Sequence, residues 1–198
     1  MTQCDKFIKR IFDIIVSFIG LIITLPVILI SWLISAVETS SNGFFIQKRV
    51  GKNGKLFNVI KIKTMRKVSG VNTSVTTEND VRITNSGVFF RKTKIDELPQ
   101  LWNVLIGQMS FVGPRPDVPG YADVLTGKDR LILSIRPGIT GPASIKYKDE
   151  EALLAKQEHP ESYNRNVIWP DKVDMNLSYI KYYSFVKDVN YIWKTIVG

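Results

Sequence analysis

Arg91 to Pro116 read RKTKIDELPQLWNVLIGQMSFVGPRP, with the adjacent acidic pair Asp96 and Glu97 at the centre. Arg91, Lys92 and Lys94 crowd one side of the pair, and Leu98, Leu101, Leu105 and Ile106 follow it at helical spacing. Pro99 is acceptable in a first helical turn, so both acids are expected at a helix N-terminus. A proline-stiffened loop carrying Arg115 closes the stretch. Cations gathered around two carboxylates suit the handling of a phosphate.

The chain around this stretch has 198 residues and a mass of 22.5 kDa, the size of one ordinary domain with a small appended segment. Its 27 Lys and Arg against 18 Asp and Glu give a net charge of +9, which favours anionic partners such as nucleic acid, phospholipid headgroups or a phosphorylated substrate. Cys4 is the only cysteine, so no intramolecular disulfide and no thiolate metal site is expected. The only histidine, His159, sits before Pro160 in a polar stretch and reads as a solvated loop residue, which disfavours histidine triads and zinc sites.

Upstream, an apolar run from Ile11 to Val37 exceeds the roughly 20 residues that match a bilayer. It can be read as a cleaved signal peptide, a spanning helix or a segment that enters the membrane and returns. The run is long for a signal peptide and lacks a small-x-small cleavage site. Lys6, Lys9 and Arg10 precede it and Lys48, Arg49, Lys52 and Lys55 follow it, whereas a straight span would put one basic cluster outside. Pro26, near the middle, removes a helix hydrogen bond and favours a break that returns the chain to its entry face. Thr24 is placed to re-satisfy a freed backbone group. A kinked spanning helix stays open as the alternative. Residues 1–40 are accordingly read as a membrane-associated segment and 41–198 as a cytosolic domain.

Between these parts, Asn53-Gly54 separates two partly alternating runs and predicts a β-hairpin over Phe44 to Ile62. Lys61 and Lys63 would share one face of its second strand, either aimed at a phosphate or solvated. Val68 to Asp80 reads as loop. Beyond the central stretch, Tyr121 to Ile135 reads as a helix weakened by Gly127, RPGITGPAS as a rigid turn bearing Arg136, Glu150 to Gln157 as helix and Glu158 to Asp171 as loop. Phe185, Val189, Ile192 and Ile196 lie at helical spacing near the C-terminus. With their neighbouring tyrosines, Trp193 and lysines they suit a helix resting at a membrane interface, or ordinary core packing.

A lone Asp-Glu pair most often caps a helix. Here it stands among cations and phosphate-suited arginines, Arg115 and Arg136, each fixed beside prolines. An ionised aspartate is a competent nucleophile at phosphorus once Mg²⁺ and cations neutralise the phosphate oxygens. GxxxxGKS and GxGxxG are both absent.

These residues resemble the monotopic phosphoglycosyl transferases, bacterial sugar transferases that begin glycan assembly on a polyprenyl phosphate carrier. The resemblance covers nearly the whole chain. It rests on Lys9, Arg10 and Asp13 as KRxxD, the apolar run with Pro26, QKRVG at 47–51, KIKTM at 61–65, RKTKIDELPQLWNVL, MSFVGPRP at 109–116, RPGITG at 136–141, and the closing Asp174, Tyr179, Ser184, Asp188 and Thr195. One departure is Leu25, where many members carry Ser before the proline.

The resemblance implies an α/β fold, mostly α with a small β-hairpin, built as a re-entrant membrane helix broken at Pro26 plus a cytosolic catalytic domain with interface-lying amphipathic helices. It implies a location on the cytoplasmic face of the bacterial inner membrane, with UDP-sugar, polyprenyl phosphate and phospholipid as partners. Asp96 would attack the β-phosphate of the UDP-sugar, release UMP and carry the phosphosugar until polyprenyl phosphate takes it. Glu97 would assist through Mg²⁺, with Asp96 and Glu97 as metal ligands, or through proton transfer. Arg91, Arg115 and one of Lys61 or Lys63 match basic positions near the phosphates, and Arg136 is a further candidate. The rival readings are a membrane-anchored nucleic-acid-binding module, drawn from the charge, and an inactive scaffold for glycan assembly. No nucleic-acid partner is expected, a homodimer is possible, and the UDP-sugar and the pathway stay open.

Overall fold

The computed structural model describes residues 1–66 and 80–197. The loop expected at Val68 to Asp80 therefore lies, Asp80 aside, outside the described residues. The chain opens with a helix of 37 residues, α1 (Gln3–Thr39). Thr2 caps it by accepting from the Asp5 amide while the Asp5 carboxylate accepts from the Thr2 amide, a reciprocal box that satisfies two orphan donors.

The helix is inverted relative to a soluble one. Its buried residues are Lys9, Asp13, Ser17, Ile28, Ser31 and Ser35, a mostly polar stripe at spacings of three and four, whereas Phe7, Ile15, Phe18, Ile22, Ile23 and Ile30 are exposed. It is long and apolar enough to cross a membrane by length and composition. The whole length of the stripe, about 40 Å from Lys9 to Ser35 at helical rise, docks on the rest of the protein. Arg10 donates to the carbonyls of Val104 and Leu105, Asp13 accepts from Ser110 and the Phe111 amide, and Gly20 lets Leu101 approach closely. Farther along, Ile28 packs with Ile62 and Phe90, and Ser35 donates to the carbonyls of Gly43 and Lys63.

An interruption expected at Pro26 is not present: the proline lies inside α1 and the helix continues across it. The expected rescue by Thr24 also differs. The carbonyl freed by Pro26 is that of Ile22, four residues back, yet the Thr24 hydroxyl donates to Gly20 at 2.7 Å.

The hairpin forms where expected. Strands β1 (Phe44–Val50) and β2 (Leu56–Ile62) pair antiparallel from Phe44 with Ile62 to Val50 with Leu56. Asn53 (φ 59°) and Gly54 (φ 77°) take the left-handed turn conformation these residue types tolerate. After the hairpin, helix α2 (Asn85–Thr93), capped by Thr84, leads through a tight turn at Ile95–Glu97 into helix α3 (Gln100–Leu105).

A second sheet is parallel and non-local: β3 (Ser110–Val112) pairs with β4 (Gly138–Thr140). The backbones meet so closely that a Cβ on Gly138 would lie 2.2 Å from the Gly113 nitrogen, so the glycine of RPGITG is required by contact. The remaining helices are α4 (Pro142–Lys146), α5 (Glu150–Ala155), α6 (Pro160–Tyr163), α7 (Trp169–Lys181) and α8 (Phe185–Val197).

Two readings of this half need correction. Tyr121 to Ile135 is no continuous helix but two short 3-10 turns, Ala122–Val124 and Asp129–Ser134, because Ala122, Ile132 and Leu133 pack with Val50 and Val173 in one cluster. Glu158 to Asp171 is largely helical, with a π turn at Asn164–Ile168 joining α6 to α7 and burying Ile168. The chain as a whole is α/β and mostly helical as expected, and its last helix, α8, exposes Val186, Val189, Trp193 and Ile196.

Candidate functional site

Asp96 and Glu97 sit in the turn between α2 and α3, whose direction is set by Lys94 in the left-handed conformation (φ 59°). They lie in a short 3-10 turn just before α3 rather than in its first turn. The turn packs on β2, and this brings Lys61 across: its ammonium donates to Glu97 Oε1 at 2.7 Å. The guanidinium of Arg115, from the loop after β3, lies 3.8 Å from the same oxygen. Arg91, one α2 turn upstream, is fixed by its Nε donating to Thr64, and its charge acts on Asp96 together with those of Lys61 and Lys94.

The two neighbouring carboxylates are driven apart. Burial pushes Glu97 up, but Lys61, Arg115 and Lys94 outweigh it and hold the group at about 2. Burial and the charge of Glu97 push Asp96 above the usual carboxylate range, and the three cations offset this only in part. Asp96 is 8% exposed, and its Oδ1 is buried with no hydrogen-bond partner among the described residues. One acid is thus a fixed counter-charge, the other a desolvated carboxylate with an oxygen to spare. Two adjacent carboxylates with an orphaned oxygen form a hard-oxygen donor set, which fits Mg²⁺ because this ion takes one or two carboxylates and completes its shell with phosphate and water. Among the described residues no cluster of three or more His, Cys, Asp or Glu is placed to hold a metal.

The structure therefore brings together Asp96, Glu97, Lys61, Arg91 and Arg115. It does not bring Lys63 or Arg136 to them. Lys63 follows the last residue of β2 and turns its ammonium to Ser41 at 2.7 Å, beside the end of α1. Arg136 donates its Nε to the carbonyl of Gly107 at 2.7 Å, beyond the C-terminal end of α3, where Arg10 also binds carbonyls. The acidic pair precedes the other end of that helix, about 12 Å away by helical rise. Both arginines meet the negative end of α3, Arg10 at the carbonyls of Val104 and Leu105 and Arg136 at the Gly107 carbonyl just beyond it.

Two residues beside the site were not singled out from the sequence as functional. Arg49 interacts with Arg115 and Glu97 and donates to the Pro116 carbonyl at 3.2 Å, and Asp117 shares the Arg115 loop. QKRVG gave a basic signal for Arg49, but only the tertiary contact of β1 with the loop assigns it. Asp117 has no sequence signal beyond its place after GPRP.

Residues 4–198 match the family described as "Bacterial sugar transferase", and the chain belongs to that family. Among its relatives, the chain is 37% identical over 196 residues to a UDP-glucose:undecaprenyl-phosphate glucose-1-phosphate transferase of Klebsiella pneumoniae, covering 95% of this chain and 39% of that protein. It is 43% identical over 117 residues to a putative undecaprenyl-phosphate N-acetylgalactosaminyl 1-phosphate transferase of Bacillus subtilis, covering 59% of this chain and 65% of that one. An exopolysaccharide production protein PSS of Rhizobium leguminosarum is 34% identical over 204 residues, covering 98% and 96%. The chain thus spans about two-fifths of the Klebsiella relative and under two-thirds of the Bacillus one.

Proposed function

We propose that the chain is a phosphoglycosyl transferase that moves a sugar phosphate from a UDP-sugar to polyprenyl (undecaprenyl) phosphate through a covalent aspartyl intermediate. What supports this reading is the contrast within the acidic pair: Glu97 is paired with Lys61 and faces Arg115, whereas Asp96 is buried with an oxygen left without a hydrogen-bond partner among the described residues, as suits a nucleophile beside a fixed counter-charge. The family and the relatives' names support the same reaction class.

In the first half-reaction the donor's diphosphate lies among Arg115, Arg91 and Lys61. An oxygen of Asp96 attacks the β-phosphorus, the bond from that phosphorus to the bridging oxygen breaks, and the electron pair leaves with UMP. Glu97 keeps Lys61 and Arg115 oriented so that their charge meets the phosphate oxygens without reorganisation. The oxygens of Asp96 and Glu97 would hold a Mg²⁺ ion, which supplies neutralisation of phosphate charge when bound. In the second half-reaction an oxygen of polyprenyl phosphate attacks the same phosphorus, the acyl-phosphate bond breaks, and Asp96 is regenerated.

The acceptor reaches this site from a membrane in which α1 is immersed, on the cytoplasmic side of the bacterial inner membrane. Its inverted polarity supports immersion, and docking of both its ends on one domain supports a helix that enters and leaves on one face. The exposed apolar side chains of α8 suit the interface. The test is UMP release from a panel of UDP-sugars by purified protein with Mg²⁺ and undecaprenyl phosphate. Release with one sugar that disappears in Asp96→Asn supports the reading, and absence of release with every sugar contradicts it.

A further inference from the structure

The first turns of α1, the turn of the hairpin and the segment leading into β4 meet beyond the C-terminal end of α3, away from the acidic pair. Lys6, Lys52 and Arg136 line a cleft there, together with Lys9, Asp13 and Ser134. Its volume is about 40 Å³, the room of roughly three waters. That admits the unesterified oxygens of a phosphodiester while its ester groups stay outside.

The charges around this cleft do not balance. Lys9 is committed to Asp188, and Asp13, the acid in the wall, accepts from Ser110 and the Phe111 amide. Among the described residues the ammonium groups of Lys6 and Lys52 make no hydrogen bond or ion pair. Arg136 has no acidic partner there, and only its Nε is engaged, by the Gly107 carbonyl. The three stand close enough that the charges of Arg136 and Lys6 add to burial in pushing the Lys52 ammonium below its ordinary value. Ser134 has a hydroxyl with no partner among the described residues, and all four side chains are half-buried and reachable from outside. Like charges held together in this way favour an anion that joins them.

The surface beside the cleft selects what carries that anion. Phe7, Ile8 and Ile11 follow Lys6 on α1 and are exposed. A soluble anion gains nothing from this apolar surface, whereas a lipid covers it with its chains.

We propose that Lys6, Lys52 and Arg136 form a site for the phosphate of an anionic membrane phospholipid, with Ser134 as an added donor and the acyl chains along the exposed start of α1. This rests on the reading that α1 is immersed in a membrane. The bound headgroup neutralises the cluster and fixes the first turns of α1 at headgroup depth.

The experiment titrates the purified protein in neutral detergent with phosphatidylglycerol, phosphatidylcholine or inorganic phosphate, and counts retained molecules by native mass spectrometry. Wild type is compared with Lys6→Gln/Lys52→Gln and with Lys128→Gln/Lys156→Gln, which removes the same charge from exposed lysines outside the cleft. Each cation near an anionic headgroup is worth roughly fivefold in binding, so the cleft variant is expected to hold phosphatidylglycerol about 25-fold more weakly. One phosphatidylglycerol per wild-type chain, preferred over phosphatidylcholine and kept by the Lys128/Lys156 variant, supports the site. Equal losses in both variants, or binding that does not saturate, show diffuse attraction and overturn it. Inorganic phosphate that binds as tightly as the lipid and displaces it overturns the lipid as occupant. Neither substituted lysine of the cleft has a partner to lose, and equal melting temperatures in lipid-free detergent verify that the variant is folded. Immersion is tested apart, by whether the protein stays with membranes through a carbonate wash. Release in that wash contradicts immersion, whereas retention without a bound headgroup overturns the site alone. No UDP-sugar enters either measurement, so neither depends on UMP release.

Discussion

Lys9 on the first helix and Asp188 on the last are 179 positions apart in the chain and 2.5 Å apart in space. Both are nearly inaccessible, and Tyr179 donates to the other oxygen of Asp188 at 2.6 Å. The pair fixes the foot of α1 to the domain, the position from which Arg10 reaches the end of α3 and Asp13 reaches β3. Lys9→Met leaves a buried carboxylate uncompensated and is expected to lower stability by about 3 to 5 kcal/mol. The combined variant Lys9→Met with Asp188→Leu is expected to recover part of that loss. Thermal unfolding of the four proteins of the cycle measures it, and additive losses would show that the charges do not act as a pair.

Lys61→Gln removes the cation nearest Glu97. Depressed to about 2, Glu97 stays charged throughout the ordinary assay range, and without Lys61 the dominance of burial raises its pKa. The acidic limb of the kcat/KM profile therefore begins at higher pH in the variant, together with a loss of roughly a hundredfold at pH 7 as phosphate stabilisation weakens. A profile of unchanged shape would mean that Glu97 carries no charge role.

Arg136→Ala and Lys63→Ala are expected to differ from Arg115→Ala. The first two remove contacts to the Gly107 carbonyl and to Ser41, so their effects fall on stability, by about 1 kcal/mol each. Loss of Arg115 falls on KM for the donor with stability kept. A raised donor KM in Arg136→Ala at unchanged melting temperature would place that arginine in the site after all.

Asp117 also has a stability signature. Its pKa is raised on folding from 3.8 to about 6, so between those values the native state binds more protons than the unfolded state, and stability falls as pH rises through that window. Asp117→Asn removes this loss. The variant is expected to be more stable than wild type by about 2 to 3 kcal/mol at pH 8 and equal to it near pH 4. Denaturant unfolding at the two pH values checks the sign.

The placement of α1 predicts a labelling pattern. Cys4, exposed at its start, and a cysteine introduced as Lys48→Cys in a Cys4→Ser background just past its end are expected to react with an impermeant maleimide from the same, cytoplasmic side. Reaction from opposite sides would show a spanning helix.

The features legible in the sequence were those set by local chemistry. Asn53-Gly54 dictates a turn wherever it occurs between alternating runs, and the hairpin formed there with its predicted ends. The grouping of Asp96, Glu97, Arg91 and Arg115 was legible because all four lie on one short stretch, folded back on itself by a turn and a glycine-proline loop. Lys61 joined them through the register of β2. What was not legible came from distant contacts. Lys63 is two residues past Lys61, but β2 ends between them, so their shared face is lost. Arg136 looks like a phosphate ligand beside its prolines, yet parallel pairing of β3 with β4 carries it to the far end of α3. The helix expected at Tyr121 to Ile135 yields to burial of Ile132 and Leu133 against the hairpin, and α2 was missed because NSGVFFRKT has a weak helical pattern and owes its start to the Thr84 cap.

Mass spectrometry of the intact protein incubated with its UDP-sugar and Mg²⁺, without polyprenyl phosphate, tests the central claim most directly. The account predicts one added sugar phosphate, located on the peptide containing Asp96, absent in Asp96→Asn and discharged when undecaprenyl phosphate is supplied. UMP release that requires the acceptor from the outset, with no adduct on Asp96 at any time, would contradict it and indicate direct displacement between the two substrates.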